Sequence, residues 1–360
     1  MKQLGKNYKR IVVKIGSSLF YSANNVWDDS FVYDISRRQI SSLIEEGRDV
    51  VVVSSGAIAF GMRALGLKER PRKLKDLQAA AAIGQNELMN AYCNFFGKNY
   101  TGAQILLTRD DFARNRYLNA QNTLQALLGY RKYRIQRVVP IINENDTVST
   151  DEIKFGDNDM LSALVANLIS ADLLIILSDV GGLLDKNKKV IPVVAEITPQ
   201  IKEFACPTDK KTCVGGMITK IEAAKICMKS GIPCVIANGR TKDIILSVIK
   251  EPEKHGTLFF PKNMLTARER WIAFGTKPKG KILVDEGAKK ALLNKKSLLS
   301  VGVAGIEGNF ETGDIVSVTD KQNNEFARGK VGLSHKQLDK VKGSRYDKEV
   351  IHRDNIVILQ

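Results

Sequence analysis

Short apolar, β-branched runs recur along the chain, each ending in small or polar residues: IVVKIGSS (11–18), DVVVVSSGA (49–57), AQILLT (103–108), RVVPIINEND (137–146), DLLIILSD (172–179) and PCVIANG (233–239). Runs this short, apolar at nearly every position, predict strands buried on both faces. Between them lie longer stretches with a helical step. Phe31, Ile35, Ile40 and Leu43 roughly follow a three-to-four spacing within 31–46, and the segments 77–96 and 117–130 are periodic and rich in Ala and Leu. Strands alternating with helices predict an α/β fold, a parallel-rich sheet covered by helices on both faces.

The pattern changes after residue 260. The stretch FFPKNMLTARERWIAFGTKPKG (259–280) mixes Pro, Lys and Gly and breaks the alternation. Beyond it come KILVDEG, LLSVGV, GNFETGDIVSVTD and EFARGKVGLS, short strands punctuated by Gly and Asp. Helices are predicted at about 286–294 and 335–342. The apolar set of this tail is Ile282, Val284, Leu292, Leu298, Val301, Phe310, Val316 and Val318. The organisation is therefore an α/β domain at 1–260, a linker at 261–279 and a small β-rich domain at 280–360.

Charge alters this picture little. The formal net charge is +16, but residues 276–360 hold 16 basic and 11 acidic residues, so the excess is diffuse. It suits solubility or attraction of anionic substrates better than a dedicated nucleic-acid face. Five scattered cysteines (Cys93, Cys206, Cys213, Cys227, Cys234) form no CxxC pair, which fits a reducing compartment and no zinc site. The basic N-terminus lacks a signal-peptide core, and the longest apolar stretch, near 163–177, is broken by Asn167, Ser170 and Asp172. A soluble, cytoplasmic protein is expected.

In an open parallel sheet, ligands bind beyond the carboxyl ends of the strands. Lys14 stands at such an end before Gly16-Ser17-Ser18, where an ammonium and backbone N–H groups could meet phosphate oxygens. A snorkelling lysine would look the same. Ser54-Ser55-Gly56 ends the second strand and suits either an anion or a simple N-cap. The stretch NENDTVSTDEIKFGDND (143–159) packs six acidic residues into seventeen. Its paired Asn and Asp suit a small zwitterion, Asp taking the ammonium and Asn the carboxylate; a solvated loop is the plainer alternative. Ser178-Asp179 before Gly181-Gly182, and Gly215-Gly216 before Met217, Ile218, Thr219 and Lys220, are glycine turns that could approach a nucleotide. Neither is a Walker A sequence or a GxGxxG fingerprint. His255, His335 and His352 all lie outside these strand ends, so a Ser–His or Cys–His hydrolase and a His-ligated metal are poorly supported.

Taken in order, VVKIGSS, VVSSGAIAFG, IGQNELMNAY, ILLTRDDFARNRYLNAQNTLQALL, PIINENDTVSTDEIKFGDNDMLSALVA and GGMITKIEAAK resemble the glutamate 5-kinases of the amino acid kinase family. NEND followed by GDND separates these from the acetylglutamate, aspartate, carbamate and uridylate kinases that share the fold. The tail GKILVDEGAKKALLNKKSLLSVGVAGIEGNFETGDIVSV resembles a PUA domain. The resemblance implies ATP-dependent phosphorylation of the γ-carboxylate of L-glutamate, with ATP as co-substrate, Mg²⁺, homo-oligomerisation and feedback inhibition by proline. By position it implies that Lys14 and Lys220 neutralise the phosphates and Asp159 orients both lysines. It assigns Ser55, Asp146 and Asn158 to glutamate. To the nucleotide it assigns Lys14, Ser178, Asp179, Val214, Gly215, Gly216, Met217, Ile218, Thr219 and Lys220, and it assigns no protein metal ligand. Two departures stand out: Ser178 replaces a frequent Thr and keeps the hydroxyl, whereas Val214 replaces a frequent Thr and loses it. The alternatives are a sibling kinase acting on another small carboxylate and an RNA-binding protein working through the tail.

Overall fold

The computed structural model describes residues 8–22, 24, 26–112, 114–130, 137–148, 157–205, 216–261, 266–274 and 278–359. Two compact units divide the chain, one of residues 1–228 and 232–262, the other of 229–231 and 263–360.

The apolar runs form the strands of the first unit: β1 Arg10–Ile15, β2 Asp49–Ser54, β3 Tyr100–Leu107, β4 Arg137–Glu144, β5 Leu173–Ser178 and β7 Cys234–Asn238. Two shorter strands, β6 Val193–Val194 and β8 Thr257–Phe259, are too brief to show a period and escape the sequence pattern. The sheet order is β3-β4-β2-β1-β5-β7-β8-β6. All neighbours are parallel except β7 and β8, which run antiparallel. Alternation within β1 shows the layering. Ile11, Val13 and Ile15 bury in one apolar cluster, whereas Val12 enters the cluster on the opposite face. Lys14 shares the face of Val12.

The first face is covered by the helical stretch from Ser30 to Glu45 and by the helices Leu74–Phe96 and Ile244–Lys250. The second is covered by Arg114–Gly129, Asp157–Leu168 and Met217–Lys229. The first helical stretch contains a π turn over Ile35–Ile40. Its cause is legible in the five-residue step from Ile35 to Ile40, since the extra residue lets both face the core, where both are fully buried. The helices Ala57–Ala64 and Leu74–Phe96 approach through glycine: a Cβ on Gly84 would lie 1.8 Å from the Ala57 carbonyl oxygen.

The second unit holds a five-stranded sheet of β9 Gly280–Val284, β10 Val303–Gly308, β11 Ile315–Thr319, β12 Glu325–Lys330 and β13 Ile356–Ile358. Their order is β10-β9-β11-β12-β13, with β9 and β11 parallel and the other pairs antiparallel. The helix Glu286–Leu293 starts on Asp285, whose carboxylate accepts from the Ala288 N–H, and His335–Val341 starts on a Ser334–Gln337 capping box. Seven of the eight apolar residues expected in this core are buried. Val301 is instead 56% exposed, because it sits in the short turn Ser300–Gly302 rather than on a strand. Within the segment expected as linker, Ala267–Phe274 forms a helix whose Ile272 and Ala273 bury against Ile315 and Val357.

Candidate active site

Three polar side chains meet beyond the carboxyl end of β1. Lys14 comes from the strand itself, Asp159 from the third position of the helix Asp157–Leu168, and Lys220 from the first turn of Met217–Lys229. All three are buried. Asp159 Oδ1 lies 2.7 Å from Lys14 Nζ, and its Oδ2 lies 3.2 Å from Lys220 Nζ. The Thr219 hydroxyl also donates to Asp159 Oδ2, at 2.8 Å. Lys220 Nζ curls back to donate to the Gly216 carbonyl at 2.9 Å, so the glycine turn and the lysine are one structural unit. Gly216 itself has φ +84°, a conformation that glycine adopts without strain.

The charges explain one another. Burial alone would raise the Asp159 carboxyl, but Lys14, Lys220 and Thr219 outweigh it and hold the group below the usual carboxylate range. Burial lowers Lys220, opposed by Asp159 and reinforced by the nearby Lys14 charge. One carboxylate thus holds two like charges together and leaves the trio with a net positive charge. Because the folded Asp159 value is depressed, its contribution to stability is complete above the ordinary range and is lost as pH falls through the folded value. Below about pH 4, acid should therefore destabilise the unsubstituted chain more steeply than Asp159→Asn. Parallel stability curves for the two proteins in acid-unfolding experiments would contradict this account.

The remaining candidates gather around the same strand ends. Ser178, buried, closes β5 and accepts from the Val180 N–H at 3.3 Å; Asp179, exposed, accepts from the Ser18 hydroxyl at 3.2 Å. The Gly16 N–H donates to the Leu177 carbonyl, tying the turn after β1 to β5. Ser55 is held through its own N–H, which donates to the Ile15 carbonyl at 3.1 Å. Asn158 Oδ1 accepts from the Glu144 N–H at 3.2 Å, which joins the start of its helix to the end of β4. Asp146, half-buried, lies in the turn after β4. Met217 and Ile218 open the helix that bears Lys220, and the Thr219 hydroxyl faces Asp159 rather than standing clear for a ligand. Val214 and Gly215 lie outside the described residues.

Sequence patterns alone miss Arg70. It is half-buried in the irregular segment before Leu74, where burial lowers its guanidinium and the Asp146 carboxylate opposes that shift. No periodic signal marks it, because it lies between helices. Also missed is Arg240, which donates to the Ser18 and Tyr21 carbonyls at 3.1 and 2.8 Å and so pins the turn after β1. Among the described residues, no helix is long and apolar enough to cross a membrane.

Residues 9–238 match the amino acid kinase family. The chain belongs to the amino acid kinase family. Residues 280–352 match the PUA domain. Within the amino acid kinase family, the chain is 45% identical over 372 residues to the glutamate 5-kinase of Thermoanaerobacter sp., covering 98% of each protein. It is 46% identical over 372 residues to the glutamate 5-kinase of Caldanaerobacter subterraneus, again with 98% of each covered. Among solved structures, a carbamate kinase from Giardia lamblia bound to AMP-PNP is 17% identical, covers 71% of this chain and 99% of its own, and superposes with a TM-score of 0.46. The buried Lys14–Asp159–Lys220 trio falls inside the segment that matches the amino acid kinase family.

Proposed function

We propose that this chain transfers the γ-phosphoryl group of ATP to the γ-carboxylate of L-glutamate, forming γ-glutamyl phosphate and ADP, the first step of proline biosynthesis. The observation that carries the proposal is the buried Lys14–Asp159–Lys220 trio at the strand ends, in a chain that aligns over nearly its full length with glutamate 5-kinases.

A glutamate γ-carboxyl group, with a reference pKa of about 4.3, is already ionised at neutral pH and needs no general base. A carboxylate oxygen attacks the γ-phosphorus, and the bond from that phosphorus to the β,γ-bridging oxygen breaks. The electron pair leaves with ADP. The barrier lies in bringing two anions together, so positioning and charge neutralisation carry the catalysis. Lys14 and Lys220 supply positive charge in a site largely closed to water, and Asp159 fixes where both ammonium groups point. Ser178, Asp179 and the turn from Val214 to Lys220 take the nucleotide, whereas Ser55, Asp146 and Asn158 take the amino acid. Mg²⁺ would reside on the phosphates and supply charge neutralisation there. Such an ion keeps most of its water and needs at most one or two carboxylates. Asp159 has both oxygens on cations, which leaves the exposed Asp179 as the better donor.

With the activity we propose a cytoplasmic, homo-oligomeric enzyme inhibited by proline; the unpaired thiols of Cys227 and Cys234 suit a reducing compartment. Trapping the product as hydroxamate tests the substrate. Glutamate should be turned over far faster than aspartate or N-acetylglutamate, and equal rates would defeat the claim. Asp146→Ala and Asn158→Ala should raise the glutamate KM by about tenfold or more, the scale of a lost charge-assisted contact, and move the ATP KM little. The opposite pattern in steady-state kinetics would move this loop to the nucleotide side.

A further inference from the structure

The helix Leu74–Phe96 reaches two of the strand-end turns from a single face. Gln85 and Tyr92, seven residues apart, stand two turns from each other along the helix axis. Both are buried, and both are polar groups placed among the apolar residues of a core-facing surface. Neither bears on phosphate chemistry.

At the end of β2, the Tyr92 hydroxyl lies 2.9 Å from Ser54 Oγ, and Ser54 Oγ donates to the Ser55 carbonyl at 3.1 Å. A hydroxyl has one proton, so with Ser54 donating to Ser55 the Tyr92 O–H donates to Ser54. The relay therefore runs in one direction, from Tyr92 through Ser54 to the Ser55 carbonyl. In a trans peptide the C=O and N–H point opposite ways, so anchoring the Ser55 carbonyl directs the Gly56 N–H away from it. Gly56, at φ +119°, then opens the helix Ala57–Ala64.

At the end of β4, Gln85 Oε1 accepts from Asn143 Nδ2 at 2.8 Å. That bond fixes which way the Asn143 amide faces. Its Oδ1 accepts from the Glu144 N–H at 2.9 Å, the same N–H that Asn158 Oδ1 reaches at 3.2 Å. Gln85 therefore sets the turn on which Asn158 leans.

We propose that Gln85 and Tyr92 are positioning residues for the amino-acid acceptor: one rigid helix holds the Ser55–Gly56 turn and the Asn143–Glu144–Asn158 turn in mutual register. The proposal rests on the assignment of glutamate as substrate. It separates the acceptor side from the phosphate side, since Lys14, Asp159 and Lys220 make none of these hydrogen bonds.

Glutamate-dependent ATP turnover of the full-length chain, with Tyr92→Phe and Gln85→Leu, tests it. Each should raise the glutamate KM roughly three- to tenfold, the scale of one net hydrogen bond, with the ATP KM unchanged. The double variant should fall short of the product of the two effects, because loss of either bond already releases the register that the one helix holds. Should Tyr92→Phe fail to fold, Ser54→Ala reads the same relay, and Ser54→Thr, which keeps the hydroxyl, should restore the parent KM. A folded Tyr92→Phe or Ser54→Ala protein with an unchanged glutamate KM overturns the proposal, as does an ATP KM that rises in step. A parent chain that fails to turn over ATP with glutamate strikes the substrate assignment instead. An active parent with unchanged variants strikes the positioning roles alone.

Discussion

Replacing Lys220 with alanine is expected to cut turnover on the order of a hundredfold or more, the scale seen when one electrostatic contact to a developing charge is removed. The glutamate KM should stay near its parent value. Lys220 reaches the site from a helix other than the one that bears Asn158, and its Nζ bonds only Asp159 and the Gly216 carbonyl among the described residues. Its loss leaves Asp159 with the Lys14 ammonium at 2.7 Å and the Thr219 hydroxyl at 2.8 Å, so the carboxylate is not orphaned. The fold should therefore survive, and a low rate would report chemistry rather than unfolding. Lys14→Ala should act in the same sense, but it removes the shorter of the two ion pairs and a residue of the central strand, so a larger stability loss should accompany it. Single-turnover measurements with saturating ATP and glutamate distinguish the cases. Near-normal turnover in Lys220→Ala would remove that lysine from the mechanism.

Gly84→Ala is expected to destabilise the first unit by about 3 kcal/mol, the upper part of the range for overpacking a tight core. Local propensity points the other way, since alanine in a helix interior is favoured over glycine by roughly 1 kcal/mol. Sterics decide the sign. The new Cβ would stand 1.8 Å from the Ala57 carbonyl oxygen and 2.2 Å from the Gly61 backbone nitrogen. Neither atom belongs to a side chain that could rotate away, so the two helices must part. Gly129→Ala, in a helix with nothing within 4 Å of the added methyl, is the control and should be near neutral. Denaturant titration of the two variants compares them directly. A Gly84→Ala protein as stable as its parent would mean that the helices can separate at no cost.

The sheet was legible because its strands are apolar on both faces, a pattern that survives in short windows. The candidate site was legible in part. Lys14 is marked by a strand end, Asp159 by the acidic stretch before its helix and Lys220 by a glycine turn, and both lysines prove to be in direct contact with Asp159, across 145 and 61 residues of sequence. Their mutual geometry was legible only through the family resemblance, which implies that Asp159 orients both lysines, since no period links a strand lysine to two helices. Gln85 lies in the motif IGQNELMNAY, to which no role attaches from sequence, and only the fold brings Asn143 to it. Arg70 and Arg240 act from irregular segments, where sequence carries no pattern to read. In the tail, Val301 failed for the converse reason: a β-branched residue in an apolar run suggests burial, but a three-residue turn lifts it into solvent.

The place of β1 has a consequence for synthesis. Among the described strands of its sheet it is made first, yet it ends between β2 and β5 in the middle of the sheet. Its β2 edge can be covered once residue 54 has emerged from the ribosome, but its β5 edge waits for Leu173–Leu177. At ribosomal speeds of about 5–20 residues per second, the intervening stretch of roughly 120 residues takes on the order of 6 to 25 seconds to make. Throughout that interval the nascent chain carries an unpaired edge of Ile11, Val12 and Val13, the kind of surface that pairs with other strands if left open. Full-length chains refolding from denaturant have β5 present from the start, so they should aggregate less than ribosome-bound chains stalled short of residue 173.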